Sequence, residues 1–295
     1  MAILGGMSTT SLSIFDLRPG NTILDRFLLR APLRENGIAS TFEVEDADGG
    51  AIRELQVFPA GLFEGPEQAS EFAGKLEPWT HVEVPALQQV HSVQALDDGT
   101  VVLLADLPEG QELRALMESQ DRMDPGDVVS LVTPILNGLD VIHGQGLIHG
   151  DIKPAAVFSS GVGGEGRLVD GGVTPAMWAA KHLGTRTALI GTPFYAPIEQ
   201  FTGDSPDELS DLYNLATVMY EMLTGVLPWS GTGYIEVFQS KMQETPPSMS
   251  LRAPDAEVPR ALEEAVARGL FASRRKRYPS AEAFLEGLSE AVAKG

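Results

Sequence analysis

Asp151 and Lys153 stand two residues apart in GLIHGDIKPAAV (146–157), a spacing that sends both side chains to one side of an extended loop. After a glycine-rich break, the apolar pair Leu168-Val169 delivers Asp170 at a strand end, in RLVDGGV (167–173). A carboxylate so placed can accept a proton or hold a cation, and an ammonium can hold an anion. The plainer reading makes the two aspartates acids of surface turns. The order of the segments around them argues against it.

The elements that must hold these residues are legible on both sides. Asp127–His143 carries Val128, Val129, Val132, Ile135, Leu136, Leu139 and Ile142 at helical spacing, a central buried helix leading into the loop. Upstream, ILDRFLL, ASTFEVE, IRELQVFP, ALQQVHSVQAL and TVVLLADL read as strands, the last two joined by an Asp98-Gly99 turn. Residues 61–77 read as a helix among them. Downstream, Ser210–Trp229 is a second buried helix that stops at Thr224-Gly225. Residues 1–20 show no firm periodicity and are expected to form a tail or strap.

In this order the segments resemble a eukaryotic-type (Hanks-type) Ser/Thr protein kinase of bacterial kind, from about Leu24 to Leu288. The resemblance implies an α+β, bilobal fold, with a small β-rich N-lobe at 21–107 and a larger α-helical C-lobe at 108–295. His149, Asp151 and Lys153 match the family's catalytic loop, while Gly150 and Ala156 replace its Arg and Asn. Asp170-Gly171-Gly172 stands for the metal motif. By resemblance, Asp151 accepts a hydroxyl proton and Asp170 holds one Mg²⁺. Asp211 anchors the catalytic loop from below, and Arg277 pairs with Glu199. Thr174, Thr185 and Thr187 belong to the activation segment, and Thr192 to the docking segment Gly191–Gln200.

The nucleotide positions depart from the family. The three glycines of its phosphate loop fall on Arg34, Asn36 and Ala39, and Cβ atoms obstruct the close backbone approach a phosphate needs. The ATP-binding lysine falls on Gln56, and its partner glutamate on Lys75, with Glu71 and Glu77 nearby. Ala105 takes the gatekeeper place, followed by Asp106 and Leu107. Pro108 falls where the family donates a backbone N–H to adenine, and proline has none. Gln56, Asp106 and Pro108 are therefore a degenerate nucleotide site, and side chains such as Gln56 and Arg34 are expected to fill part of it.

Composition narrows the rest. Across 295 residues, 43% are hydrophobic and 21% charged, as in an ordinary globular protein. Cysteine is absent, which excludes disulfides and thiol catalysis. A formal charge of −20 argues against nucleic acid or an anionic membrane surface as a main partner. No apolar run approaches the roughly 18 residues of a membrane span. The reading is a cytoplasmic pseudokinase that scaffolds or regulates protein partners, with Phe194 and Tyr195 on the partner surface and no cofactor. The alternative is an atypical active Ser/Thr kinase using ATP and Mg²⁺ through Asp151, Lys153 and Asp170. The chain is expected to belong to a longer protein.

Overall fold

The β-branched and aromatic stretches form a six-stranded antiparallel sheet, ordered β1-β2-β3-β4-β6-β5 in space. Its strands are β1 (Thr22–Ile23), β2 (Phe27–Glu35), β3 (Ser40–Asp46), β4 (Ile52–Phe58), β5 (Val90–Ala95) and β6 (Val101–Asp106). Short strands β7 (Gln111–Glu112), β8 (Val157–Ser159) and β9 (Gly166–Leu168) form a second sheet. The helices are α1 (Pro66–Leu76), α2 (Leu113–Glu118), α3 (Pro125–Gly144), α4 (Val173–Ala180), α5 (Ile198–Phe201), α6 (Glu208–Thr224), α7 (Tyr234–Lys241), α8 (Met249–Arg252), α9 (Arg260–Gly269) and α10 (Ala281–Lys294). This computed structural model describes residues 11–181, 193–243 and 245–294.

The chain divides into two compact units. One holds the residues up to Glu83, Gln88–Pro108 and a short piece beginning at Ala179. The other holds Val84–Leu87, Glu109–Trp178 and the residues after that piece. The first is built on the six-stranded sheet and the second mainly on helices, an α+β arrangement.

One face of the large sheet packs Phe27, Leu29, Phe42, Val44, Leu55, Val57, Val102 and Leu104 into a core, and Leu12 and Leu17 of the leading segment lie against it. Strand periodicity then sends Glu54 and Gln56 to the opposite face. Both are buried there, opposite Ala105 and Leu103.

In the second unit α6 is buried from Ser210 to Thr224. Asp207 and Ser210 cap its start reciprocally, and Gly225 in the left-handed region (φ 73°) stops it. Each fully buried Leu, Met or Val on such a helix contributes about 1.5–3 kcal/mol. That apolar burial supports the polar atoms α6 carries to the loop around Asp151.

Candidate active site

Asp211, fully buried on α6, organises the loop that precedes Asp151. Its carboxylate accepts hydrogen bonds from the backbone N–H groups of His149 (2.9 Å) and Gly150 (2.7 Å), and from His143 Nε2 on α3 (2.9 Å). His149 in turn donates from Nε2 to the carbonyl of Val169 (2.9 Å), joining this loop to the one that carries Asp170. The Val169 amide donates back to the carbonyl of Ala156 (3.0 Å), and the Gly172 amide to that of His149 (3.1 Å). Asp151 and Lys153 form an ion pair at 2.6 Å, with side chains 20% and 17% exposed. Asp170 is held at φ 63°, a costly conformation for a residue with a Cβ, and such strain collects at functional sites.

Gly150 has a specific reason to lack a side chain. Its φ is +85°, and a Cβ there would lie 2.4 Å from Cδ of Pro175 on α4. The segment after Asp170-Gly171-Gly172 is thus a helix seated on the loop, with Ala176, Met177 and Trp178 buried. Thr174, expected in the activation segment, is buried at the start of that helix. Thr185, Thr187 and Thr192 lie outside the described residues.

Glu199 and Arg277 form a bidentate buried pair (2.6 and 2.9 Å). Arg277 also donates to the Phe271 carbonyl and lies over the Tyr213 ring. Arg274 reaches both Glu199 and Asp207, and through these pairs α5 and the start of α6 are tied to the chain before α10.

The expected exposure of Tyr195 is corrected by the structure. Tyr195 is only 4% exposed, its hydroxyl donating to Glu221 (2.6 Å) and accepting from Arg114 (2.5 Å). Burial, together with the Glu221 carboxylate, raises its phenol well above the ordinary range. Phe194 is half-buried. No sequence signal pointed to Arg114 and Glu221, which are remote from Tyr195 along the chain.

Several of the nucleotide-position residues of the first unit are joined by hydrogen bonds. Arg34 on β2 donates to Glu54 on β4 (2.8 Å), and Gln88 donates from Nε2 to the other carboxylate oxygen (2.7 Å). Glu54 is 0% exposed. Gln88 Nε2 also donates to the backbone carbonyl of Asp106 (2.7 Å). The Asp106 amide donates to Gln89, and its carboxylate meets Arg53 (3.0 Å) and His91 (2.7 Å). Every polar group of Asp106 thus has a partner inside its own unit.

Asn36 donates to Gln56 (3.4 Å), while its Oδ1 accepts from the amides of Ile38 (3.3 Å) and Ala39 (2.8 Å). This turn takes up the backbone N–H groups that a phosphate would need. Lys75 and Glu77 are exposed and Glu71 is half-buried on α1. Glu54 was missed, yet period two along β4 puts it beside Gln56. Nothing in the sequence pointed to Gln88.

No lysine stands at Gln56, and Glu54, beside it on β4, is a fully buried carboxylate. Ala156, 1% exposed, has no side-chain oxygen to offer a cation, and its carbonyl accepts from Val169; no cluster of three or more metal-type ligands occurs among the described residues.

The protein kinase domain model matches residues 79–287. The chain is 30% identical over 278 residues to the serine/threonine-protein kinase PknL of Mycobacterium bovis, covering 92% of this chain and 68% of PknL. It is 26% identical over 271 residues to the serine/threonine-protein kinase pkn3 of Myxococcus xanthus, covering 90% of this chain and 50% of the relative. It spans 36% of a probable serine/threonine-protein kinase PknB of Corynebacterium glutamicum. The crystal structure of the Mycobacterium tuberculosis PknI kinase domain superposes with a TM-score of 0.71 at 21% identity, covering 93% of this chain and 99% of that one. That likeness concerns the fold.

Proposed function

The chain belongs to the protein kinase family, and from that premise we propose that it acts as a pseudokinase, a scaffold or regulator of protein partners. The observation that supports this is the Arg34–Glu54–Gln88 hydrogen-bonded set, in which Gln88 also donates to the Asp106 carbonyl. A nucleotide would have to displace Gln88 from the Asp106 carbonyl and bring its phosphates toward a buried carboxylate. Each hydrogen bond lost to a charged or buried partner is worth about 1.5–3 kcal/mol. The departures at Gln56 and Pro108 alone then weaken ATP by roughly two to four decades. We take 21–107 and 108–295 as the two lobes and the cytoplasm as the place of action; of the tail or strap expected at 1–20, residues 1–10 lie outside the described residues.

A second reading is phosphoryl transfer by an atypical Ser/Thr kinase using ATP and Mg²⁺. The relatives' names favour it, since each is called a serine/threonine-protein kinase. The close Asp151–Lys153 pair and the retained Asp170 also favour it. Asp151 would accept the hydroxyl proton, Lys153 would hold Asp151 in place, and Asp170 would hold the metal.

Labelled-phosphate incorporation into the protein and into a generic basic substrate, with Mg²⁺ and ATP, separates the two. The pseudokinase reading expects wild type and Asp151→Ala to be equally inactive. Incorporation by wild type that Asp151→Ala removes, with the fold intact, establishes the second reading.

A further inference from the structure

Arg274, Arg275, Lys276 and Arg277 are consecutive cations in a chain of net charge −20. Arg277 is taken up by Glu199, Arg274 by Glu199 and Asp207, and Lys276 stands over the Phe271 ring. Arg275 is exposed and forms no hydrogen bond or ion pair among the described residues. It lines a cavity of about 520 Å³ within the second unit, between Ile148, the start of α6 and the chain before α10. Small-molecule sites commonly occupy about 300–1,000 Å³. Glu208, in the first turn of α6, lines the same cavity, exposed and likewise without an ion-pair partner among the described residues.

The apolar lining comes from Ile148 and Leu209, both half-buried, and from Pro279. The Arg274–Asp207 pair in the wall is already neutral within itself. The cavity therefore offers an entering molecule an apolar wall, one open cation and one open anion. A simple anion would meet Glu208, and a simple cation would meet Arg275. A dianion such as phosphate would also meet the field of a chain at −20. An uncharged apolar molecule gains nothing from either side chain. A small zwitterion with an apolar body uses all three features, and a guanidinium suits a carboxylate in particular. We propose that this cavity binds an apolar α-amino acid or dipeptide, its carboxylate on Arg275, its ammonium toward Glu208 and its side chain against Ile148 and Leu209. The site does not depend on whether the chain transfers phosphate.

The test is a titration of the full chain, labelled at its isoleucine and leucine methyls, followed by NMR at Ile148 and Leu209. Leucine and leucyl-leucine are the zwitterions, and the tighter of the two names the ligand length. N-acetylleucine lacks the ammonium, leucinamide lacks the carboxylate, and N-acetylleucinamide lacks both. Exposed charge pairs are weak, so each lost charge should raise the Kd only about 2–5-fold. Arg275→Gln should remove the preference for leucine over leucinamide and keep that over N-acetylleucine. Glu208→Gln should do the reverse. Both side chains are exposed, so neither variant disturbs the core. No saturable shift at Ile148 or Leu209 below about 100 mM of either zwitterion overturns the proposal. So does N-acetylleucinamide binding as tightly as leucine, which would make the cavity an apolar groove for internal peptide segments. Preferences that survive in both variants would refute the roles of Arg275 and Glu208.

Discussion

Removing Arg34 alone should hurt the protein more than removing Arg34 and Glu54 together. Glu54 is 0% exposed and its pair with Arg34 is 2.8 Å long, with the Arg34 side chain 11% exposed. Breaking such a pair from one side leaves a buried charge uncompensated, at about 3–5 kcal/mol. Gln88 still donates to the other carboxylate oxygen, so Arg34→Met should fall at the lower end, about 3 kcal/mol. Replacing both partners by apolar residues, as in Arg34→Met with Glu54→Leu, should return stability to within about 1 kcal/mol of wild type. The assay is urea unfolding of the full chain, followed by Trp79 in the first unit with Trp178 and Trp229 changed to phenylalanine. A single-variant loss under about 1 kcal/mol would mean that Arg34 and Glu54 are not a desolvated pair. A double variant as unstable as the single would refute the pairing itself.

Gly150→Ala should unseat α4, because the new Cβ meets Pro175 and the backbone sits at φ +85°. We expect a red shift in Trp178 emission and a loss of about 1–3 kcal/mol, partly restored by adding Pro175→Ala. At low pH the first unit should lose support from Asp46, whose carboxyl is held below its usual range chiefly by the hydrogen bond from Arg26, with burial opposing. A lowered carboxyl stabilises the fold fully above the unfolded value of about 4, and this is lost as pH falls through the lower folded value. Arg26→Met should therefore narrow the difference in urea stability between pH 6 and pH 3, and an unchanged difference counts against the pair.

The scaffold was legible because it is written in local patterns. β4 reads as a strand from IRELQVF, and α6 from the apolar run after Ser210 with its Thr224-Gly225 stop. Asp211 could be placed under the catalytic loop because the family order fixes where α6 follows that loop. The interior polar contacts were harder. Period two along β4 could have put Glu54 beside Gln56, and i, i+4 spacing on α7 could have put Lys241 on the buried face of Val237. Neither pattern says which partner waits there. Tyr195 looked like surface because its burial depends on Arg114 and Glu221, 81 and 26 residues away. Gly150 registered only as a missing arginine, since the side chain that takes its space, Pro175, belongs to a helix the sequence did not announce.

If Arg34, Glu54 and Gln88 close the nucleotide positions, calorimetric titration of the full chain with ATP, with and without Mg²⁺, will show no heat of binding below millimolar ATP, no effect of Mg²⁺, and no rescue by Gln56→Lys alone. Micromolar, Mg²⁺-dependent binding to the wild-type chain would contradict it.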